Sequence, residues 1–175
     1  MKELEQELHS FAKKVVNKAK GQLQRKDKVV SGKLLNSVRY ELTKDARGNF
    51  TVSFFSTDYG KFVDAGVSGT KKIQTYVDFE GNRVESPFRF GKSRDGGLTR
   101  GLDKWIVRRN IKGSRDAKGR FVSRQTMKFF MARKIYTLGI ESTSFYSKPL
   151  KLGLKPLPGK LLDKLEIELM EQLIT

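Results

Sequence analysis

The sequence predicts an α+β fold, in which a small antiparallel sheet packs against N-terminal, central and C-terminal helices and a β-hairpin arm projects from the core. Two observations predict the sheet. Apolar and polar residues alternate along residues 38–42 and again along 50–54, and the turn-forming string DARGN lies between them. The helices are indicated by apolar residues that recur every three or four positions in three longer stretches, 3–24, 123–138 and 160–174.

The composition fits one folded domain over residues 1–175, with 67–121 as an inserted, basic excursion. Of the 175 residues 37% are hydrophobic, which suffices for a core. The chain has no cysteine and one histidine, His9, so disulfides, thiol catalysis and ordinary zinc sites are excluded from the interpretation. No stretch approaches the ~18 apolar residues of a membrane span, and the acidic N-terminus is unlike a signal peptide. We therefore expect a protein without membrane or cofactor, made in the cytoplasm or assembled there.

An amphipathic helix over residues 3–24 is the first predicted element. Phe11 and Val15 belong to its apolar stripe, and acidic residues precede the lysines, an order that suits the helix dipole. His9 falls off this stripe, so we expect it to face solvent. Ser31 is the predicted N-cap of a short helix that follows.

Two hairpins are predicted next. The first covers residues 38–56, and the second has strands at 75–79 and 83–85 because a Glu-Gly-Asn turn separates them. Residues 70–97 are expected to project from the core. Within this arm, aromatic and basic residues alternate in the string FRF at 88–90, a pattern that can stack on unpaired bases. Spacing of two is also typical of one face of a strand, which is the interpretation we favour.

The middle of the chain is predicted to contain two helices. The first covers residues 98–111, and we expect Leu102, Trp105 and Ile106 on its buried side. The second, over residues 123–138, is apolar around more than half of its circumference. Because such a helix is usually covered on two sides, we expect it to be the central core helix, ending at the C-cap Gly139.

The C-terminal segment is predicted to be extended and then helical. Residues 142–158 contain three prolines, and Leu150, Leu152 and Leu154 alternate with other residues, which favours a short edge strand. A last helix follows over residues 160–174. Four leucines lie in line on this helix, at positions 162, 165, 169 and 173.

The basic charge of the chain is concentrated in one region. Of the formal net charge of +17, the segment from Arg100 to Lys134 carries about +10, from twelve basic and two acidic residues. Such a concentration favours a polyanionic partner. The candidate contact residues are Arg108, Arg109, Lys112, Arg115, Lys118 and Arg120.

The same search finds no catalytic or metal-binding pattern. A metal-dependent phosphoryl-transfer site requires clustered carboxylates, and each acidic residue here is more simply explained as a turn former or as a surface charge of a strand. These acidic residues are Asp58, Asp64, Asp78, Glu80 and Glu85. We therefore expect a protein that is not an enzyme and has neither catalytic nor metal-binding residues.

Four strings of the sequence resemble a known family. They are VVSGKLLNSV at 29–38, YGKFVDAG at 59–66, ARKIYTLGI at 132–140 and FYSKPL at 145–150. The order of these strings, with an amphipathic helix before them and another after, is similar to that of the tail-completion and neck (head–tail connector) proteins of tailed bacteriophages. In this chain the spacing from the aromatic residue to Pro149 differs by one from the family pattern. Residues 71–121 are longer and more basic than the family core.

The resemblance implies a structural, non-catalytic protein of the virion, assembled in the cytoplasm of the bacterial host. It implies a homo-oligomeric ring at the head–tail neck that joins the portal or adaptor to the tail and lets the genome pass. Non-specific contact with genomic DNA would then suit the basic segment. The residues that match the central motif are the expected contacts with other copies or partners: Tyr59, Phe62, Val63, Asp64 and Gly66.

A second function stays open beside this one. The net charge alone is also typical of a cytoplasmic protein that binds nucleic acid through its phosphate backbone, without regard to sequence. No recognised nucleic-acid-binding module is visible in the sequence.

Overall fold

The computed structural model of this chain describes residues 2–91, 97–113, 115 and 117–174, and for residues 97, 100 and 166–174 it describes the backbone alone. About 50% of the chain is helical and 16% forms strands, which confirms the predicted α+β class. The helices are α1 (Lys2–Arg25), α2 (Lys33–Ser37), α3 (Gly60–Ala65), α4 (Gly97–Arg108), α5 (Arg124–Leu138), α6 (Ser147–Leu154) and α7 (Leu157–Ile174). The strands are β1 (Arg39–Lys44), β2 (Phe50–Phe55), β3 (Val67–Ser68), β4 (Thr75–Val77), β5 (Arg83–Glu85) and β6 (Gly139–Ile140).

The chain divides into two compact units. Unit 1 contains Met1–Gly60, Val77–Arg83 and Ser144–Thr175, and unit 2 contains Lys61–Tyr76 and Val84–Thr143. The single domain expected from the length stays a prediction. The basic excursion predicted at 67–121 belongs to unit 2, apart from the tip of its hairpin. Among the described residues, no helix combines the length and the hydropathy that crossing a bilayer requires.

The apolar stripe of α1 forms the core of unit 1, as its spacing predicts. Phe11, Ala12 and Val15 are buried together with Leu157 of α7. Phe54 of β2 packs edge-to-face on Phe11, with ring centroids 6.2 Å apart. Full burial of a phenylalanine, valine or leucine side chain contributes about 1.5–3 kcal/mol, so this helix is the main source of stability in unit 1.

The first hairpin forms in the predicted place. Strands β1 and β2 are antiparallel, with Arg39 opposite Phe55 and Lys44 opposite Phe50. The Asp45 carboxylate accepts hydrogen bonds from the backbone N–H groups of Arg47 and Asn49, both at 2.8 Å. These bonds close the turn, and the bonds from Asn49 are the main reason that the pKa of Asp45 lies below its usual value.

The predicted N-cap of the short helix is wrong by one residue. Helix α2 has Gly32, not Ser31, at its N-cap position, and no side chain caps it. Gly32 has a φ of 73°, in the left-handed region that glycine adopts without strain. The entry of the chain into α2 therefore depends on backbone geometry and not on a serine hydroxyl.

The predicted extended segment at 142–158 is also wrong, because residues 147–154 form helix α6. Pro149 is the third residue of this helix, where a backbone N–H has no partner inside the helix, so the missing donor costs nothing. On helix α6, the spacing of Leu150, Leu152 and Leu154 places these side chains on different faces of the helix. Leu150 packs against the core of unit 1, whereas Leu152 and Leu154 are exposed.

Unit 2 is organised around the pairing of β3 with β6. Val67 lies opposite Ile140 and Ser68 opposite Gly139. On its other side Ser68 exchanges backbone hydrogen bonds with Phe88 and Phe90, at 2.7 and 3.0 Å. Residues 88–90 therefore form a single parallel bridge, Ser68 to Arg89, with both phenylalanines half-buried, which favours the strand interpretation of this string.

Helix α5 forms where it is predicted and ends at the predicted Gly139, but its predicted role is wrong. Ser123 caps the N-terminus by accepting from the N–H of Thr126, and Gly139 ends the helix with a φ of 82°. No residue of α5 is buried. Phe129 and Phe130 are 56% and 59% exposed, so α5 is not a central core helix.

Helix α4 buries part of the side that its sequence predicts. Leu102 and Ile106 are buried, at 6% and 4% exposure, whereas Trp105 is 39% exposed. The helix ends in a Schellman motif: Asn110 has a φ of 49°, its N–H bonds the Val107 carbonyl, and the N–H of Ile111 bonds the Ile106 carbonyl.

Substitution of Gly66 by alanine is expected to destabilise unit 2. Gly66 has a φ of 75°, and a Cβ there would lie 2.7 Å from both the Ile140 carbonyl oxygen and the Ser142 nitrogen. We expect Gly66→Ala to lower the free energy of unfolding by about 1–3 kcal/mol, measured by thermal and denaturant unfolding. Gly101→Ala is the matched control, because nothing lies within 4 Å of its Cβ. Equal midpoints for the two variants would contradict the close approach.

Candidate functional site

The motif residues predicted to contact partners lie on and beside helix α3. Tyr59 precedes the helix and is 42% exposed, and Phe62 within it is 37% exposed. The remaining three residues turn inward: Asp64 is 9% exposed, Val63 is half-buried and Gly66 is buried. The motif is therefore mixed, with two aromatic residues available to a partner and three residues inside the fold.

The inward residues of the motif hold backbone positions. The Val63 carbonyl accepts from both the backbone N–H and the hydroxyl of Thr143, at 3.0 and 2.7 Å. The Gly66 carbonyl accepts from the Ser86 hydroxyl at 2.7 Å. Phe62 packs on Phe88 with ring centroids 4.5 Å apart. These contacts fix the segment from α3 to β3, so residues 61–66 of the motif are part of the scaffold of unit 2.

The six predicted polyanion contacts lie at the end of α4 and on the connection to α5. The Schellman motif places Arg108 and Arg109 at the helix C-terminus, where positive charge also suits the helix dipole. Arg109 is half-buried and the other five residues are exposed. Those five are Arg108, Lys112, Arg115, Lys118 and Arg120.

Arg115 is held by two contacts within this connection. Its guanidinium lies 4.0 Å from the ring centroid of Phe121, and its Nη1 donates to the Gly119 carbonyl at 2.7 Å. A cation–π contact at an exposed site contributes about 0.5–1 kcal/mol. Since Phe121 is 71% exposed, this connection presents an aromatic ring beside a cation. That combination suits nucleic-acid bases and phosphates as well as an acidic, apolar protein surface.

Asp103 of α4 balances two cations of α5. Its carboxylate lies 2.7 Å from Lys128 Nζ and 3.2 Å from Arg124 Nε. The hydrogen bond from Lys128 is the largest cause that holds the pKa of Asp103 below its ordinary value, with the charges of Lys128 and Arg124 adding to it. Asp103 thus joins α4 to α5 and neutralises part of the charge there.

Among the described residues, no group of three or more histidine, aspartate or glutamate side chains is placed to hold a metal ion. The sequence interpretation missed two surfaces that the structure exposes, one on α5 around Phe129 and Phe130 and the other on α7 around Leu162 and Leu165. The line of leucines on α7 was visible in the sequence, but nothing in it indicated which side would face out.

Removal of the Asp103 carboxylate is expected to loosen α4 from α5. Because pairing lowers the pKa of Asp103 in the folded chain, its contribution to stability is present at neutral pH and is lost as the pH falls through that lowered pKa. Asp103→Asn should therefore melt at a lower temperature than the parent at pH 7. The difference should shrink as the pH falls below the ordinary pKa of aspartate, about 3.9. A constant difference from pH 7 to pH 2 would contradict the role of the ion pair.

Comparison of the chain with protein families, with curated proteins and with solved structures finds no significant match. The resemblance to phage neck proteins therefore stays a prediction, carried by the four strings quoted above. Function is inferred below from those strings and from the placement of their residues.

Proposed function

We propose that this chain is a structural, non-catalytic protein of the neck of a tailed bacteriophage. Identical copies form a ring that joins the portal or adaptor of the head to the tail, and the genome passes through this ring. The proposal assigns the chain to the virion, after assembly in the cytoplasm of the host. It rests on the resemblance of four strings to tail-completion and neck proteins.

One observation carries the proposal: two family-like strings that are far apart in sequence are neighbours in unit 2. Strand β3 follows the string at 59–66 directly, and it pairs with β6, which is the Gly-Ile end of the string at 132–140. The two hydrogen bonds from Thr143 to the Val63 carbonyl extend this contact. Strings that resemble a family by chance have no reason to meet in the fold, so their contact favours a common scaffold.

The aromatic part of the motif suits assembly. Exposed aromatic residues are enriched at the centres of protein interfaces, and Tyr59 and Phe62 are 42% and 37% exposed. The basic residues between α4 and α5 suit contact with the DNA that passes through such a ring, or with an acidic neighbour. Both features fit a protein whose work is to contact others.

Electron microscopy of assemblies tests the neck function. The purified chain is mixed with the portal, adaptor and tail proteins encoded by neighbouring genes, and the products are examined by negative staining and light scattering. We expect rings of this chain attached to head or tail components. A strict monomer with no affinity for any of these components would overturn the proposal.

A second candidate function is binding of nucleic acid through the phosphate backbone. The observation that favours it is the charge of about +10 between residues 100 and 134, with five of the six candidate contacts exposed. Backbone binding of this kind carries no sequence preference and weakens steeply with salt.

Charge neutralisation tests this second function. Replacement of Arg108, Arg109, Lys112 and Arg115 by glutamine should abolish the electrophoretic shift of duplex and single-stranded DNA. If affinity is only reduced, the slope of log affinity against log salt should fall by about 3–4 units, since each phosphate contact accounts for about 0.9. The control variant replaces four cations of α1 by glutamine: Lys13, Lys14, Lys18 and Lys20. Unchanged binding after the first set of substitutions would remove this function.

A further inference from the structure

We propose that copies of this chain join head-to-tail, with the outer face of α7 in one copy bound to the outer face of α5 in the next. The contact would be the interface between neighbours in the proposed ring, and its biological role rests on that proposed function. Two helices carry the inference, because each of them has at least one lysine paired with a carboxylate on its inner side and large apolar side chains exposed on its outer side. In a solvated helix the opposite arrangement is expected.

Helix α5 shows this inversion in unit 2. The Lys128 side chain is 20% exposed and is bound to Asp103, whereas Phe129 and Phe130 are 56% and 59% exposed. Arg133 follows Phe129 by four residues and Lys134 follows Phe130 by four, and both cations are exposed. Residues three or four apart share one face of a helix, so the outer face of α5 combines two phenylalanines with two cations.

Helix α7 shows the same inversion in unit 1. Lys160 and Lys164 point toward α1, where they pair with Glu7 at 3.4 Å and Glu3 at 2.9 Å. The hydrogen bond and charge of Glu3 raise the pKa of Lys164 and those of Lys164 lower the pKa of Glu3, which agrees with a formed pair. On the outer side, Leu162 is 67% exposed and Leu165 is 42% exposed.

The two outer faces are complementary in charge. Residues 124–138 contain no aspartate or glutamate, so the charged groups that α5 itself places beside Phe129 and Phe130 are cations. Beside the leucines of α7 lies Asp163, which is exposed. An apolar strip flanked by cations thus matches an apolar strip flanked by a carboxylate.

The two helices are also comparable in length. Helix α7 has 18 residues and α5 has 15, which correspond to about 27 and 22 Å at 1.5 Å per residue. The leucines at 162 and 165 recur in sequence at 169 and 173, the spacing of a helix that packs along a partner helix. A second copy of the chain is therefore able to cover most of either face.

The occupant of α5 is inferred to be a second copy and not nucleic acid. Phenylalanines beside cations would suit unpaired bases, but nucleic acid would leave the leucines and Asp163 of α7 uncovered. A second copy covers both faces with one contact. Because the two faces are different patches of the same chain, repetition of the contact is heterologous and generates a ring or a filament.

Mixing of two complementary variants tests the contact directly. One variant carries Phe129→Ser and Phe130→Ser, and the other carries Leu162→Ser and Leu165→Ser, all in the full chain. Each variant alone lacks one of the two faces and should be monomeric by sedimentation velocity and light scattering. Mixed in equal amounts, they should form a dimer and stop there, because only one intact pair of faces remains. The parent chain should form larger species.

Controls separate assembly from folding. Val107→Ser removes a 63% exposed side chain from α4, and Leu154→Ser removes a 41% exposed one from α6, so both should assemble as the parent does. Circular dichroism should show parental helix content for every variant. The milder Asp163→Lys leaves the leucines in place and should weaken self-association at least several-fold, with a larger effect at low salt than at high salt.

Several results would overturn the head-to-tail contact. These are a parent chain that stays monomeric as its concentration rises, variants that assemble as well as the parent, a mixture that stays monomeric, or a mixture that grows beyond dimers. If the chain forms rings on head or tail components that survive all four serine substitutions, this interface is wrong and the neck function stands. If α5 and α7 mediate self-association but the chain binds no head or tail component, the interface stands and the neck function is wrong.

Discussion

The apolar stripe of α1 is the interaction on which unit 1 depends. Seven of the fifteen buried hydrophobic residues of the described chain belong to this one helix. The first hairpin, α6 and α7 all pack on it. Gly153 shows how close the packing is, since a Cβ there would lie 2.8 Å from the Phe11 ring. The arrangement of three neighbouring elements therefore follows from the spacing of apolar residues along a single helix.

Elements whose local sequence and tertiary packing agree were predictable. The stripe of α1, the turn at Asp45 and the Gly139 end of α5 are each specified by residues within one or two turns of chain, and each lies where the sequence indicates. Prediction failed where the same residues allow two structures. Prolines suggested an extended segment at 142–158, but Pro149 sits in the first turn of α6, where proline is tolerated.

The candidate surfaces divide in the same way. Charge is additive along a sequence, so the basic segment from 100 to 134 was visible without a structure. The orientation of an amphipathic helix is not local information, because it depends on which face finds a partner. On α7, Leu157 and Leu161 pack with the core residues of α1 while Lys160 and Lys164 pair with its glutamates, and this orientation leaves Leu162 outward. The wide apolar surface of α5 predicted that this helix would be buried on two sides. Whether a partner element covers that surface is not local information either, and the structure leaves Phe129 and Phe130 exposed.

The pairing of β3 with β6 has a consequence for how this sequence is able to diverge. Gly66 and Gly139 both have positive φ, and the position that a Cβ would take at either one is occupied by backbone atoms of the facing segment. Backbone atoms cannot be made smaller by mutation, so no second substitution elsewhere relieves the crowding that a first one would create. As the sequence diverges, both glycines are thus expected to be retained while the charged residues of the surrounding surface change.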